Sequence, residues 1–211
     1  MRQLARRKSA RRLRGFIARH AALLAEKDDT HGVAGYALVE CSEGRAALAW
    51  FRRFPPRDST PPWALLNVAN AYREFGHDAQ AAGWNRAALE RPADHTTCKH
   101  HASLALEAAR AGQTEFARQH LQKAAEGDLG KYYEFCCCLA RALLAAVEGP
   151  RERVLENGLG ELKRAKSLMP AFTEDAALKR LTREAAGKLA RASTSSATLA
   201  WLRSVKLWLS F

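Results

Sequence analysis

The chain has 211 residues, 47% of them hydrophobic and 27% charged, with a formal net charge of +12. That balance suits one large domain or a stack of about four to five helix pairs of roughly 34 residues each, and it excludes a chain that is mostly solvated tail. No apolar run reaches the roughly 18 residues that a membrane span needs, so a soluble, cytoplasmic protein without a transmembrane segment is expected.

The charge is unevenly placed. Residues 1–20 carry eight Lys/Arg and no acid, residues 151–211 add a further +6, and residues 21–150 come to −2. Basic ends on a nearly neutral middle suggest arms that could meet nucleic acid or another anionic surface. Five cysteines, Cys41, Cys98 and the run Cys136–Cys138, form no even, spaced framework. A reducing compartment fits them best, with the run read as small buried residues inside a helix.

In chain order, Leu13, Phe16, Ile17, His20, Leu23 and Leu24 recur at helical intervals, predicting a basic amphipathic helix over residues 1–26, from about Leu4 to Glu26. Its polar side holds the basic arm Arg6, Arg7, Lys8, Arg11, Arg12 and Arg14. An Arg-rich, acid-free start also fits a mitochondrial import peptide. A packing helix is the stronger reading, because the apolar stripe continues through Ala21, Ala22 and Leu24.

A turn is expected at Lys27–Gly32, then a helix from about Val33 to Cys41 and another from Arg45 to Phe54, stopped by Pro55-Pro56. Thr60 is expected to cap the next helix with Pro61 at its first position, and Gly76 to close it in a left-handed conformation. A returning helix over Asp78–Glu90 ends at Pro92. The pattern repeats from Lys99 through Gly112 and Ala117, Leu121 and Ala124 to Gly127. Gly76 and Gly112 lie 36 residues apart and Trp50 and Trp84 lie 34 apart, two periods that point to a repeat architecture. A looser unit runs from Lys131 to Gly149-Pro150 and from Val154 to Met169, interrupted at Asn157–Gly160. The repeat domain is thus placed at 30–170, a capping helix at 171–192, and a Ser-rich hinge with an apolar terminal helix at 193–211. That last helix either caps the stack or docks on a partner.

Trp63–Gly76 followed by Ala81, Trp84, Ala88-Leu89-Glu90-Arg91-Pro92 resembles a tetratricopeptide repeat, with Tyr72 and Gly76 at matching positions. Leu104–Ala124 is similar to a second repeat, with Ala108 in place of the tyrosine. The resemblance implies an all-α solenoid of antiparallel helical hairpins whose first helices line a concave groove. Carried over, the groove would show Trp63, Leu66, Asn70, Arg73 and Glu74, then Lys99, Ala102, Leu106 and Arg110. Asn70 stands where chaperone-binding members hold a peptide carboxylate. Leu66 replaces the lysine four residues before it, which argues against that clamp.

His95, Cys98, His100 and His101 form the one cluster of metal-ligating residue types, but their spacing matches no common zinc finger and they fall at an expected polar turn. No phosphate-cradling loop or nucleophile elbow appears. No catalytic residue, metal or cofactor is therefore expected. The functional expectation is a non-enzymatic scaffold or adaptor that binds a peptide or helix of a protein partner in its groove. An RNA- or ribosome-associated protein using its basic termini is the alternative.

Overall fold

A computed structural model describes residues 2–41, 43–147, 152–168 and 176–192, and the side chains of all of these except 2–8, 152–155 and 176. The expected hinge and terminal helix at 193–211 lie outside the described residues, as do the stops at Gly149-Pro150 and Met169-Pro170 and the side chains of Arg6, Arg7 and Lys8. The described residues are all-α, with no strand among them. No described helix is long and apolar enough to cross a membrane.

The chain forms two compact units, Met1–His100 and His101–Phe211. The first holds α1 (Arg2–Arg19), α2 (Ala21–Glu26), α3 (Asp28–Glu40), α4 (Gly44–Arg53), α5 (Pro62–Glu74) and α6 (Asp78–Leu89). α3 packs on α4 and on α5, α4 also meets α5, and α5 pairs with α6. Ile17, Leu38, Trp50, Phe51, Leu65 and Val68 share its core.

Three departures from the expected boundaries have local causes. The first helix breaks at His20 into α1 and α2. α3 starts at Asp28 rather than Val33, because Lys27 is extended and Asp28 and Asp29 place negative charge on the first turn, where the helix dipole favours it. Pro61, not Thr60, is the residue before α5. The Thr60 hydroxyl instead accepts the Arg57 N–H at 2.9 Å and donates to the Asp28 carboxylate at 3.0 Å, tying the loop to the start of α3. Ser59 also donates to Asp28, and these bonds hold its carboxyl below the ordinary value against the cost of burial.

Glycine permits the close approach of these helices. A methyl group at Gly32 would lie 2.7 Å from the Ala64 Cβ and 3.0 Å from the Trp63 ring, and one at Gly35 would collide with the Phe51 ring. Neither glycine interrupts α3. Each is the point where a neighbour rests on its backbone.

A 34-residue equivalence runs through the two hairpins. Ala47 and Ala81 are both fully buried, and Trp50 and Trp84 belong to the same core. The Arg57 guanidinium donates to the Glu26 and Ala25 carbonyls at 2.7 and 3.0 Å, and Arg91 donates to the Arg57 carbonyl at 3.1 Å, so each closing arginine reaches back to the preceding loop or helix end.

The second unit holds α7 from His101 onward (the helix spans Thr97–Arg110), α8 (Thr114–Ala124), α9 (Gly130–Val147), α10 (Glu152–Leu168) and α11 (Ala176–Ala192). α9 packs on α8, α10 and α11, and α10 on α11. The expected interruption at Asn157–Gly160 is absent. α10 is continuous, and a side chain at Gly158 would press on Ala145 and Leu189 at 2.7 and 2.9 Å, so this glycine too marks a three-helix contact. The Gly76 and Gly112 turns are alike in detail: φ is +75° and +76°, and His77 and Gln113 donate to the Tyr72 and Ala108 carbonyls at 3.0 and 2.9 Å, the Schellman closure. α8 ends at Ala124, three residues ahead of the expected stop at Gly127, and Gly130, also left-handed at φ +63°, is the first residue of α9.

Replacing Gly35 by alanine is expected to destabilise the chain by about 2 kcal/mol or more, since the Phe51 ring must shift in a packed core. The same change at Gly83, where nothing lies within 4 Å, is expected to stabilise α6 by about 0.5–1 kcal/mol through reduced chain entropy. Paired urea titrations check both signs; equal effects would refute the Gly35 contact.

Candidate functional site

α3 exposes one continuous row. Asp29, Val33, Tyr36 and Glu40 recur at spacings of four, three and four, which places them along one side of the helix. His31 and Gly35, which meet Trp50 and Phe51 of α4, point the other way. All four row residues are exposed, Val33 at 55% and Tyr36 at 47%. Partial burial and the neighbouring Glu40 raise the Tyr36 hydroxyl pKa above its ordinary value.

α5 carries the same row 34 residues later: Trp63, Asn67, Asn70 and Glu74, all partly exposed. Ala64, beside this row, faces Gly32 of α3. The groove residues inferred from the sequence divide accordingly. Trp63 lies over Gly32, and Asn70 borders the face and accepts from the Arg73 guanidinium at 3.3 Å. Glu74 lies over Gly44 at the start of α4. Leu66 and Arg73 are buried, Arg73 completely.

On α7, Lys99 is half-buried and Ala102 and Leu106 are fully buried. Arg110 pairs with Glu107 and Glu184, both at 2.9 Å, and Lys188 donates to its carbonyl at 2.7 Å. Of the basic arm, Arg11, Arg12 and Arg14 are exposed on α1, and Arg14 approaches Glu43 at 3.5 Å.

A second feature of the first unit is an open cleft of about 790 Å³ between α2, the start of α3 and the segment after α4. Ala22, Leu23, Ala25, Phe54 and Pro55 give it apolar walls, while Arg53 and Arg57 stand against Glu26 and Asp28, so its charges balance. His31 closes its base, its Nε2 2.8 Å from the Phe54 carbonyl, and burial lowers its pKa.

His95, Cys98, His100 and His101, close in sequence, face different surroundings. His95 is exposed and Cys98 is buried. His100 is fully buried, its Nδ1 2.8 Å from Asn85 Oδ1, and Asn85 is oriented by its own bond to the Ala81 carbonyl. His101 turns to His120 on α8, with the two Nδ1 atoms 2.7 Å apart and Phe116 edge-on to His120. Among the described residues, no three His, Cys, Asp or Glu side chains are grouped to hold a metal ion. Cys136, Cys137 and Cys138 are buried, and burial, with Glu161 beside it, pushes the Cys138 thiol up to about 12.

Val33, Tyr36, Glu40 and Asn67 were not singled out from sequence. The signal that finds them is the 34-residue offset between Trp50 and Trp84, applied to the α5 row. Compared with family models, curated proteins and solved structures, the chain matches none of them.

In the His101–His120 pair one Nδ1 must donate and the other accept, so a second proton would set two N–H groups face to face. Burial lowers both groups. His101's charge and Lys123 lower His120 further, to about 4, and Lys123 opposes protonation of His101 against the pull of Glu126. Depressed histidines stabilise the fold in the neutral form. Their contribution is complete above the ordinary value of 6.5 and is lost as pH falls toward 4, because the unfolded chain takes up protons that the folded chain refuses. The loss should approach about 3 kcal/mol. Melting temperature followed from pH 7 to 4 should fall more steeply for the parent chain than for His120→Gln; parallel curves would rule this out.

Proposed function

We propose that the chain is a non-enzymatic, tetratricopeptide-like interaction module that takes up a segment of a protein partner along the α3–α5 face. One observation carries this reading: the rows Asp29/Val33/Tyr36/Glu40 and Trp63/Asn67/Asn70/Glu74 are equivalent at 34 residues and stand on helices that pack together. Such a face offers Val33 and Tyr36 as neighbouring anchors on α3 and Trp63 on α5, with polar groups at the row ends and along α5, which suits the holding of an extended or helical segment. Stacked hairpins of a solenoid supply that geometry, since the first helix of each pair meets both its own partner and the next first helix. The packing of α3 on α4 and α5 supports such an arrangement in the first unit.

The nucleic-acid alternative has the exposed Arg11, Arg12, Arg14 and Arg19 of α1 in its favour, with Phe16 as an exposed aromatic on the same helix. Arginines without base-stacking partners supply a salt-dependent attraction and little selectivity. The paired face is the more specific feature.

Selection from a random peptide library on the purified chain is expected to return sequences whose binding drops at least tenfold on Val33→Asp and on Tyr36→Ala, while both variants melt as the parent does. Selected peptides that bind both variants at parental affinity would refute the assignment of this face.

A further inference from the structure

The α3–α5 face differs in charge from α1 and α4 of the same unit. α3 contains no lysine or arginine, and the single arginine of α5, Arg73, is fully buried. At the two ends of the α3 row stand the exposed carboxylates Asp29 and Glu40, with Val33 and Tyr36 between them. Two neighbouring helices have the opposite character: Arg11, Arg12, Arg14 and Arg19 are exposed on α1, and Arg45, Arg52 and Arg53 on α4. In a chain of 34 Lys/Arg against 22 Asp/Glu, this exposed row is ended by acids and free of cations.

From this we infer that the occupant of the face is a short basic segment of a protein, with an aliphatic residue at its centre and a lysine or arginine on either side. The inference rests on the groove reading above and adds the chemistry of the partner. Asp29 and Glu40 are eleven residues apart on α3, roughly 16 Å at helical rise, which about five residues of extended chain would span. The central aliphatic side chain then meets Val33 and the Tyr36 ring, and the flanking cations reach the carboxylates. The half-buried Asn67 amide at the border offers both a donor and an acceptor to a peptide backbone.

The chain's overall positive charge opposes any cationic ligand at long range. At physiological salt that repulsion is screened beyond about 8 Å, whereas carboxylates touching the ligand are not. The local sign of the face therefore decides.

The test uses the full chain and fluorescence anisotropy at physiological ionic strength, with a short synthetic peptide carrying lysines on either side of a leucine and counterparts carrying glutamine or glutamate in their place. The lysine peptide is expected to bind at least tenfold more tightly than the glutamate peptide. The double variant Asp29→Lys, Glu40→Lys should reverse that order, and Val33→Asp should weaken the lysine peptide at least tenfold, with helicity and melting unchanged in all variants. Glutamine and lysine peptides of equal affinity, both sensitive to Val33→Asp, would overturn the charge assignment and leave the groove reading standing. Binding indifferent to Val33→Asp, or no binding by any of the three, would overturn both. Self-association of the chain that is abolished by Val33→Asp would overturn the partner in favour of a second copy.

Discussion

The arrangement of the first unit depends on two positions of α3 that carry no side chain. Gly35 receives the Phe51 ring of α4, and Gly32 receives Ala64 and the Trp63 ring of α5. Three helices therefore approach one another across backbone rather than across side chains, and each contact fixes a different neighbour. Contacts of this kind tolerate little adjustment, because packed interiors have few voids into which a displaced ring can move. Rotation of α3 about its axis is excluded as long as both glycines are covered, and that in turn sets which residues it turns outward.

The outward set is what the proposed function rests on. With Gly32 and Gly35 directed inward, Asp29, Val33, Tyr36 and Glu40 have no helix of their hairpin to cover them. The α5 row beside them is the same pattern displaced by 34 residues, but half-buried and more polar. Repetition of this type produces a surface without requiring any one residue to be specialised for it. The chemical character comes from the residues chosen at equivalent places: carboxylates and an aromatic on α3, amides and an indole on α5. Exposed arginines cluster on α1 and α4, whereas the exposed α3 row carries only carboxylates as its charges.

Much of the α5–α6 pair was legible in the sequence, because its boundaries are set by local chemistry. Proline before α5 and a left-handed glycine after it act within a few residues of themselves, and the observed ends follow them to within a position. The first hairpin was less legible. In the sequence Gly32 reads as part of a turn and Gly35 as an ordinary helix position, and only their long-range neighbours Trp63, Ala64 and Phe51 show them to be contact points. For the same reason Gly158 suggested an interruption in what is a continuous helix. Of the groove list, Trp63, Asn70 and Glu74 lie on the partly exposed side of α5 and Leu66 and Arg73 are buried, while the exposed α3 row was not part of it. The histidines carried still less local information. His100 and His101 are adjacent in sequence, yet one meets Asn85 and the other His120.

The orientation of α3 can be read directly in solution by nuclear Overhauser spectroscopy of the full chain. Close contacts are expected from the Gly32 α-protons to the Trp63 indole and the Ala64 methyl, and from the Gly35 α-protons to the Phe51 ring, whose current should also displace the Gly35 resonances. If the Gly32 and Gly35 α-protons showed no contact with these partners, while the Val33 methyls or the Tyr36 ring did, α3 would present a different side to its neighbours and the exposed row would not exist.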